Sequence, residues 1–139
     1  REFSDILNLP YHSVCTTSTH DMTPLRNWWK EDPEKTQRYY NHVLQRIGEA
    51  PDECTAEIVA QIISNHLKTR SMLTIIPLQD WFAMDDSIKR KDIESERINV
   101  PANSTHYWRY RMHITLEQLL QADNLNNKIV SLIKEAGRK

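Results

Sequence analysis

The sequence predicts an α/β fold in which two parallel strands are joined by helices. Residues 13–19 are rich in Val, Thr and Ser, a composition that favours an extended strand. Residues 71–77 form a short apolar run, which is typical of a strand buried on both faces of a parallel sheet. About fifty residues with helical patterns separate the two runs. Parallel strands need a crossover of this kind, so we expect a β-α-β unit.

The bulk properties indicate one globular domain over residues 1–139, without an internal boundary. Hydrophobic residues make up 39% and charged residues 27% of the chain. The net charge of −1 argues against nucleic acid or an anionic membrane as a partner. The apolar runs are shorter than the roughly 18 residues that a membrane span needs. The chain begins with Arg1 rather than methionine, so we expect it to come from a longer protein.

The two cysteines, Cys15 and Cys54, are predicted to be buried, reduced thiols rather than a disulfide. Reduced thiols are typical of cytoplasmic proteins, and the expected localisation is therefore cytoplasmic. The cysteine spacing matches no zinc-binding pattern. We expect neither a metal nor another cofactor.

Two helices are predicted directly after the first strand. The first covers residues 23–30, where Pro24 suits the first turn. The second begins at Asp32, a favoured N-cap, and Gly48 is expected to close it. Apolar residues at helical spacing form its predicted buried stripe. This stripe consists of Tyr40, Val43, Leu44 and Ile47.

A third helix is predicted between Thr55, a potential N-cap, and the second strand. Its predicted buried face consists of Val59, Ile62, Ile63, His66 and Leu67. Residues 78–82 are expected to leave the second strand as a turn or a short helix. Residues 83–114 are predicted to be a long polar loop, and such loops in compact domains are either functional or disordered. Its aromatic and arginine content argues against disorder.

Two helices are predicted at the C-terminal end. Thr115 and Gln118 have the spacing of a capping box, which opens a short helix. The last helix is expected to end at Gly137, and the basic pair Arg138-Lys139 suits a helix C-terminus. The side chains of this helix that are predicted to point inward are Leu125, Ile129, Leu132 and Ile133.

His20 and Asp21 lie where the first strand is predicted to end. Ligands and catalytic groups of α/β proteins collect at the carboxyl ends of strands, so Asp21 is a candidate catalytic carboxylate and His20 a candidate substrate ligand. Three other interpretations remain open. In the first, Asp21 is the N-cap of the next helix, which is the commoner role of such a residue. In the second, Asp21 orients His20 as a general base. A metal site that also includes His12 is the third.

Three further features have a structural and a functional interpretation. Asp80 follows the second strand at the same predicted sheet edge, either as a second carboxylate or as an acceptor for a neighbouring loop. Trp28 and Trp29 cannot share one helix face, so we expect one in the core and one at a cleft. Residues 107–111 interleave aromatic side chains with arginines, which can stack on sugars or clamp a carboxylate.

Three motifs, in this order, resemble the C-terminal part of one enzyme family. Residues 13–29 read Ser-Val-Cys-Thr-Thr-Ser-Thr-His-Asp-Met, then Leu-Arg and Trp-Trp. Residues 73–80 and the block Asn99-Val100-Pro101 … Trp108 … Arg111-Met112 follow. Together they are similar to the 4-alpha-glucanotransferases, the amylomaltases or disproportionating enzymes of glycoside hydrolase family 77. The resemblance covers nearly the whole chain.

The resemblance implies that the chain supplies the last β/α units of a (β/α)8 TIM barrel, about strands 7 and 8, and that it is helix-rich as an isolated piece. It implies a retaining enzyme that transfers α-1,4-glucan segments between maltooligosaccharides. By motif, Asp21 matches the third carboxylate, which stabilises the oxocarbenium-like transition state. His20 matches the neighbouring ligand of a sugar hydroxyl, and Asn99 a substrate-binding residue of the donor-site loop.

Two departures from the family pattern limit what the chain is expected to do. Ala102-Asn103 stands where the family has Gly-Thr, and the motifs of the nucleophile and the acid/base are absent. A retaining glycosidase needs both of those carboxylates, so we expect the chain alone to be inactive. Unpaired barrel edges are expected to make it self-associate. The alternative is a noncatalytic helical domain that binds carbohydrate or protein through residues 107–111.

Overall fold

The computed structural model describes residues 2–138 and contains, within them, two short strands and six α-helices. Single 3-10 turns at Ile6–Asn8 and Glu94–Glu96 add to these. In chain order the elements are β1 (Val14–Thr16), α1 (Leu25–Glu31), α2 (Pro33–His42), α3 (Ala56–Leu67), β2 (Leu73–Ile75), α4 (Leu78–Phe82), α5 (Leu116–Leu120) and α6 (Asp123–Glu135).

The two strands pair in parallel, which confirms the predicted β-α-β unit. Val14 lies opposite Leu73, and Thr16 lies opposite Ile75. Helices α1, α2 and α3 form the crossover between them. Each strand has three residues rather than the seven that the sequence predicts. The chain turns directly after β1, where Thr16 Oγ1 donates to the Ser18 carbonyl at 2.6 Å.

The prediction that the second strand is buried on both faces is wrong. Leu73 and Ile75 are 48% and 58% exposed, and their partner Val14 on β1 is 55% exposed. The opposite face is covered, since Cys15 is buried and Thr74 Oγ1 donates to the His66 carbonyl of α3 at 3.4 Å. Within residues 2–138 one layer of helices covers one face of the sheet. The apolar residues of the other face therefore remain in contact with solvent.

Helix α3 is the centre of the hydrophobic core, as its sequence pattern predicts. All five residues of the predicted face are buried, and α3 packs against α6, where Leu125 is 1% exposed. Ile129, Leu132 and Ile133 of α6 are half-buried against the same core. The tryptophan pair divides as expected, since Trp29 is buried and Trp28 lines a surface groove. Cys15 and Cys54 are buried and unpaired, as predicted.

Helix α2 ends earlier than its apolar stripe predicts. The last helical residue is His42, and Ile47 is 98% exposed rather than buried. The N–H groups of Val43 and Leu44 both donate to the Tyr39 carbonyl, at 2.9 and 3.1 Å, and this ends the regular i−4 pattern. Gly48 therefore does not close the helix. It has a φ of +94° in the following turn.

Four other helix ends agree with the sequence analysis. Asp32 and Thr55 cap α2 and α3, and Thr115 with Gln118 forms the capping box of α5. Gly137 has a φ of +70° directly after α6, where its N–H donates to the Lys134 carbonyl at 2.9 Å. Lys139 lies outside the described residues.

Arg138 contacts a different helix end from the one expected. Its guanidinium donates to the carbonyl of Leu67 at 2.5 Å and to those of Thr69 and Ser71, both at 2.9 Å. These carbonyls lie between the end of α3 and the start of β2. The C-terminal residue of the described chain thus binds the last carbonyl of α3 and two carbonyls of the segment that follows it.

Asp80 connects the carboxyl end of β1 to the start of α1. Its carboxylate is 1% exposed and accepts hydrogen bonds from Thr17 Oγ1 at 2.5 Å, Ser18 Oγ at 3.3 Å and the N–H of Leu25 at 2.9 Å. Burial raises the pKa of Asp80, and the three hydrogen bonds act in the opposite direction. Asp80 is therefore a structural acceptor and not a second free carboxylate at the sheet edge.

Residues 83–114 are irregular, as predicted, and a buried carboxylate fixes the middle of this loop. Glu96 is 1% exposed, and its Oε2 lies 3.5 Å from Arg26 Nη1. Arg26 Nη1 also donates to the Arg90 carbonyl at 2.7 Å, and Gln79 donates to the Glu96 carbonyl at 3.1 Å. Burial raises the pKa of Glu96 to about 7, although the Arg26 charge acts in the opposite direction.

Replacement of Asp80 by alanine should destabilise the fold, because it leaves three donors without their shared acceptor. We expect a loss of roughly 2–3 kcal/mol in the free energy of unfolding, measured by urea denaturation. The exposed Asp52→Ala variant serves as control and should change it by less than about 0.5 kcal/mol. Equal stability of the two variants would contradict the structural role of Asp80.

The raised pKa of Glu96 predicts a pH dependence of stability with a defined sign. The folded chain binds this proton more tightly than the unfolded chain does, so ionisation of Glu96 lowers stability as the pH rises from about 4.5 to about 7. In the Glu96→Gln variant this contribution, of about 3 kcal/mol at most, should be missing. Urea denaturation between pH 5 and 8 measures it, with the exposed Glu49→Gln as control. Parallel pH profiles of wild type and Glu96→Gln would rule it out.

Candidate functional site

His20 and Asp21 lie in the connection between β1 and α1, past the carboxyl end of the strand. Both side chains are 52% exposed, and His20 Nε2 lies 3.4 Å from Asp21 Oδ2. Asp80 anchors this connection on either side of the pair, through Thr17 and Ser18 before it and through the Leu25 N–H after it. The pair is therefore presented to solvent by a segment whose two ends are fixed.

The interpretation of Asp21 as a helix cap is wrong. Helix α1 has Pro24 at its N-cap position, and the N-cap residue makes no side-chain capping hydrogen bond. The first N–H of the helix that needs an acceptor, that of Leu25, uses Asp80 instead. Asp21 is consequently free of a capping role.

Asn99 comes from the long loop and completes a three-residue cluster. Its Nδ2 donates to Asp21 Oδ1 at 2.6 Å, and its backbone N–H donates to the His20 carbonyl at 3.1 Å. The loop is held nearby by Arg97, whose Nε donates to the Asn99 carbonyl at 3.0 Å. The structure thus brings together all three site residues that the sequence predicts, across 78 positions of the chain.

Trp108 is a fourth member of this cluster, and the sequence analysis placed it in the same motif as Asn99 without naming it as a site residue. Its indole Nε1 donates to Asn99 Oδ1 at 3.0 Å, and its ring centroid lies 5.0 Å from that of His20. The signal in the sequence was that motif, which names Trp108 but does not show that its side chain contacts Asn99 and His20.

The arginines of the same block contact its own aromatic rings or neighbouring backbone. Arg109 lies over the ring of Tyr107 at 5.1 Å, and Arg111 Nη1 donates to the Tyr110 carbonyl at 2.9 Å. These contacts do not form the carboxylate clamp that the sequence allowed. Tyr107 is 70% exposed, so this part of the block is an open surface.

The cluster is an open polar surface rather than an enclosed pocket. The cavity beside it, between His20, Gln79 and Glu96, has a volume of about 30 Å³, which is much too small for a sugar ring. What the arrangement offers a ligand is a carboxylate, an imidazole and an amide that lie side by side. Together these groups can accept hydrogen bonds from hydroxyls and donate hydrogen bonds to them.

Metal binding and membrane insertion find no support in the part of the chain that the structure describes. Over residues 2–138, no group of three His, Cys, Asp or Glu side chains is arranged to hold a metal ion, so the site built on His12, His20 and Asp21 does not form. Among the same residues, no helix has the length and the apolar character that crossing a bilayer requires.

Comparison with known proteins gives consistent matches. The family model described as 4-alpha-glucanotransferase matches residues 1–117. The 4-alpha-glucanotransferase DPE2 of Oryza sativa subsp. japonica is 38% identical over 99% of this chain and 14% of that protein. The 4-alpha-glucanotransferase of Chlamydia trachomatis serovar D is 31% identical over 86% of this chain and 22% of that protein. The chain thus spans between a seventh and a quarter of the length of these relatives.

A solved structure supports the fold. The amylomaltase from Streptococcus agalactiae in complex with acarbose superimposes with a TM-score of 0.70, over 96% of this chain and 23% of that one, at 18% identity. At this identity the likeness concerns the fold. The match of the family model over most of the chain, and the agreement with the rice protein over nearly all of it, decide the relationship. The chain belongs to the 4-alpha-glucanotransferase family of enzymes, glycoside hydrolase family 77.

Proposed function

We propose that this chain is the C-terminal portion of a 4-alpha-glucanotransferase and that it supplies the third carboxylate of the active site, Asp21. The observation that carries the proposal is the 2.6 Å hydrogen bond from Asn99 to Asp21, which joins two family motifs that are 78 positions apart. His20 lies on the other side of the same carboxylate. Three motif residues that converge on one solvent-facing surface are what a substrate site requires.

The chemistry of glucan transfer explains why a carboxylate belongs in this position. A retaining transfer between α-1,4-glucans passes through a transition state in which the sugar ring gains oxocarbenium character. A fixed negative charge beside the ring stabilises that positive charge as it develops. Asp21 would have this role, while His20 and Asn99 bind sugar hydroxyls by hydrogen bonds that strengthen in the transition state. The proposed substrates are maltooligosaccharides.

The nucleophile and the acid/base would come from outside this chain. The two carboxylates of a retaining enzyme lie about 5 Å apart across the scissile bond. Asp80 and Glu96, the buried acids nearest to the cluster, are both engaged in internal contacts. Within the described residues they are structural, so we infer that the chain alone does not catalyse the transfer.

The sheet supports a further proposal, on the position of the chain in the parent fold. We propose that β1 and β2 are about the seventh and eighth strands of a (β/α)8 barrel. The parallel pairing fits this position, and so does the exposed sheet face that carries Val14, Leu73 and Ile75, which the barrel interior would cover. The unpaired, reduced thiols of Cys15 and Cys54 support a cytoplasmic protein, which stays a prediction.

A noncatalytic carbohydrate- or protein-binding domain is the second candidate. It is favoured by the exposed aromatic and cationic block, in which Tyr107 and Trp108 are 70% and 58% exposed. The two candidates differ in which residues hold the ligand. Binding that depends on Asp21 and His20 supports the first, and binding that depends only on Trp108 or Arg111 supports the second.

The chain should bind maltooligosaccharides without converting them. We expect calorimetric binding of maltoheptaose that weakens by roughly three- to tenfold in Asp21→Ala and in His20→Ala, because each variant removes a hydrogen bond to a sugar hydroxyl. Arg111→Ala, whose guanidinium contacts its own loop, should bind like wild type. Incubation with the chain should leave maltotriose unchanged.

Two results would contradict this prediction. Release of glucose together with longer maltodextrins would show that the chain contains a complete catalytic set. Unchanged binding in Asp21→Ala, with a loss in Arg111→Ala, would move the ligand to the exposed block and support the second candidate.

The chain is also expected to self-associate through the open face of its sheet. Light scattering at increasing concentration should show dimers or larger species, because exposed apolar residues and free strand edges favour association. The double variant Leu73→Lys with Ile75→Lys should shift the distribution towards monomer. Ile47→Lys, which changes a 98% exposed apolar residue away from the sheet, should not. A monomer at every concentration would contradict the expectation.

A further inference from the structure

Trp108 makes directed contacts with the site although most of its surface is open to solvent. It is 58% exposed, so burial in the core does not account for its position. Within the cluster it makes one hydrogen bond and one ring contact, each with a residue whose side chain lies beside Asp21. The indole Nε1 donates to Asn99 Oδ1 at 3.0 Å, and the ring centroid lies 5.0 Å from that of His20.

The hydrogen bond from Trp108 favours one orientation of the Asn99 amide, the same one that the acceptor-only carboxylate of Asp21 favours. An indole N–H can only donate, whereas a side-chain amide has an acceptor oxygen at one end and a donor nitrogen at the other. With Oδ1 held by the indole, Nδ2 faces Asp21 Oδ1 and donates to it at 2.6 Å. The reversed amide would place oxygen against the carboxylate and nitrogen against the indole N–H, and both contacts would be repulsive.

The same arrangement leaves one oxygen of Asp21 for another partner. Oδ1 is occupied by Asn99, while Oδ2 lies 3.4 Å from His20 Nε2, and the side chain is 52% exposed. The His20 ring rests against Trp108 at an interplanar angle of 46°. One residue, Trp108, therefore contacts both neighbours of Asp21 without contacting Asp21 itself.

We propose that Trp108 is a positioning residue: its indole N–H orients the Asn99 amide so that Asn99 donates to Asp21 and directs the second oxygen of Asp21 to a bound glucan. This inference rests on the proposed function, because it assigns a role within a sugar-binding site. The element that it adds is a directional relay, from the indole to the amide to the carboxylate.

The relay is tested by removing its first donor while the aromatic ring is kept. In Trp108→Phe, the side-chain amide protons of Asn99 should exchange faster with solvent and shift in ¹⁵N–¹H spectra, since the amide is held by Asp21 alone. Maltoheptaose should bind roughly three- to tenfold more weakly, the effect of one hydrogen bond. Trp28→Phe, which removes an indole N–H from α1, is the matched control and should leave both readouts unchanged.

A second pair of variants keeps Trp108 in place and follows its indole N–H. Asn99→Asp retains an acceptor for the indole but removes the donor to Asp21, so the indole proton should stay protected while maltoheptaose binding falls. Asn99→Ala removes both partners, so protection should be lost as well. This comparison does not depend on how well the Trp108→Phe variant folds.

Coupling between the two residues separates positioning from direct contact with the glucan. If Trp108 acts through Asn99, the Trp108→Phe/Asn99→Ala double variant should bind maltoheptaose no more weakly than Asn99→Ala alone. Fully additive losses would overturn the proposal, and so would an Asn99 amide that is unchanged in Trp108→Phe. Absence of binding by the wild-type chain would contradict the proposed function instead, and the amide and indole exchange data would still decide whether the relay exists.

Discussion

The hydrogen bonds to the buried carboxylate of Asp80 are the interaction on which the position of the candidate site depends. Asp80 belongs to α4, directly after the second strand, and it accepts from the residues that follow the first strand and from the N–H that opens α1. A buried charge is tolerated when hydrogen-bond donors surround it, and here three donors do so. The loop with His20 and Asp21 is thereby fixed at both ends, although the loop itself is exposed.

The second support is polar as well and lies under the other half of the site. Glu96, which Arg26 and Gln79 hold, fixes the middle of a loop that has little regular structure. Asn99 follows three residues later and reaches Asp21. The open cluster therefore owes its geometry to buried polar groups beneath it, whereas the apolar core around α3 determines how the helices pack.

Local patterns predicted most of the fold. The apolar stripe of α3, the N-caps at Asp32 and Thr55 and the end of α6 at Gly137 are all determined by nearby residues, and the structure confirms them. The prediction for the end of α2 was wrong because the apolar spacing continues to Ile47 while the backbone turns at Val43. The exposure of β2 was missed because an apolar run shows which faces can be buried, and not what covers them.

The site was predictable to a different degree. His20 and Asp21 could be found locally, from their position after a strand, but the relation of Asn99 to them came from resemblance to a family, because no local pattern connects residues 78 positions apart. The contact of Trp108 with Asn99 depends on the path of the whole loop between residues 83 and 114. That path decides which side chain of the aromatic and arginine block contacts the cluster. The local sequence does not contain this information.

The C-terminal helix has a consequence for how such a chain can be recombined. The family model ends at residue 117, yet α6 buries Leu125 in the common core, and Arg138 donates to four carbonyls that precede β2. A guanidinium stays charged at any pH at which proteins fold, so these hydrogen bonds do not depend on a change of protonation. The C-terminal segment thus connects α6 to the chain between α3 and β2. A chimera that exchanges the C-terminal segment with that of a relative has to keep both Leu125 and Arg138. Without them, the segment before β2 loses these hydrogen bonds and the core loses a buried side chain.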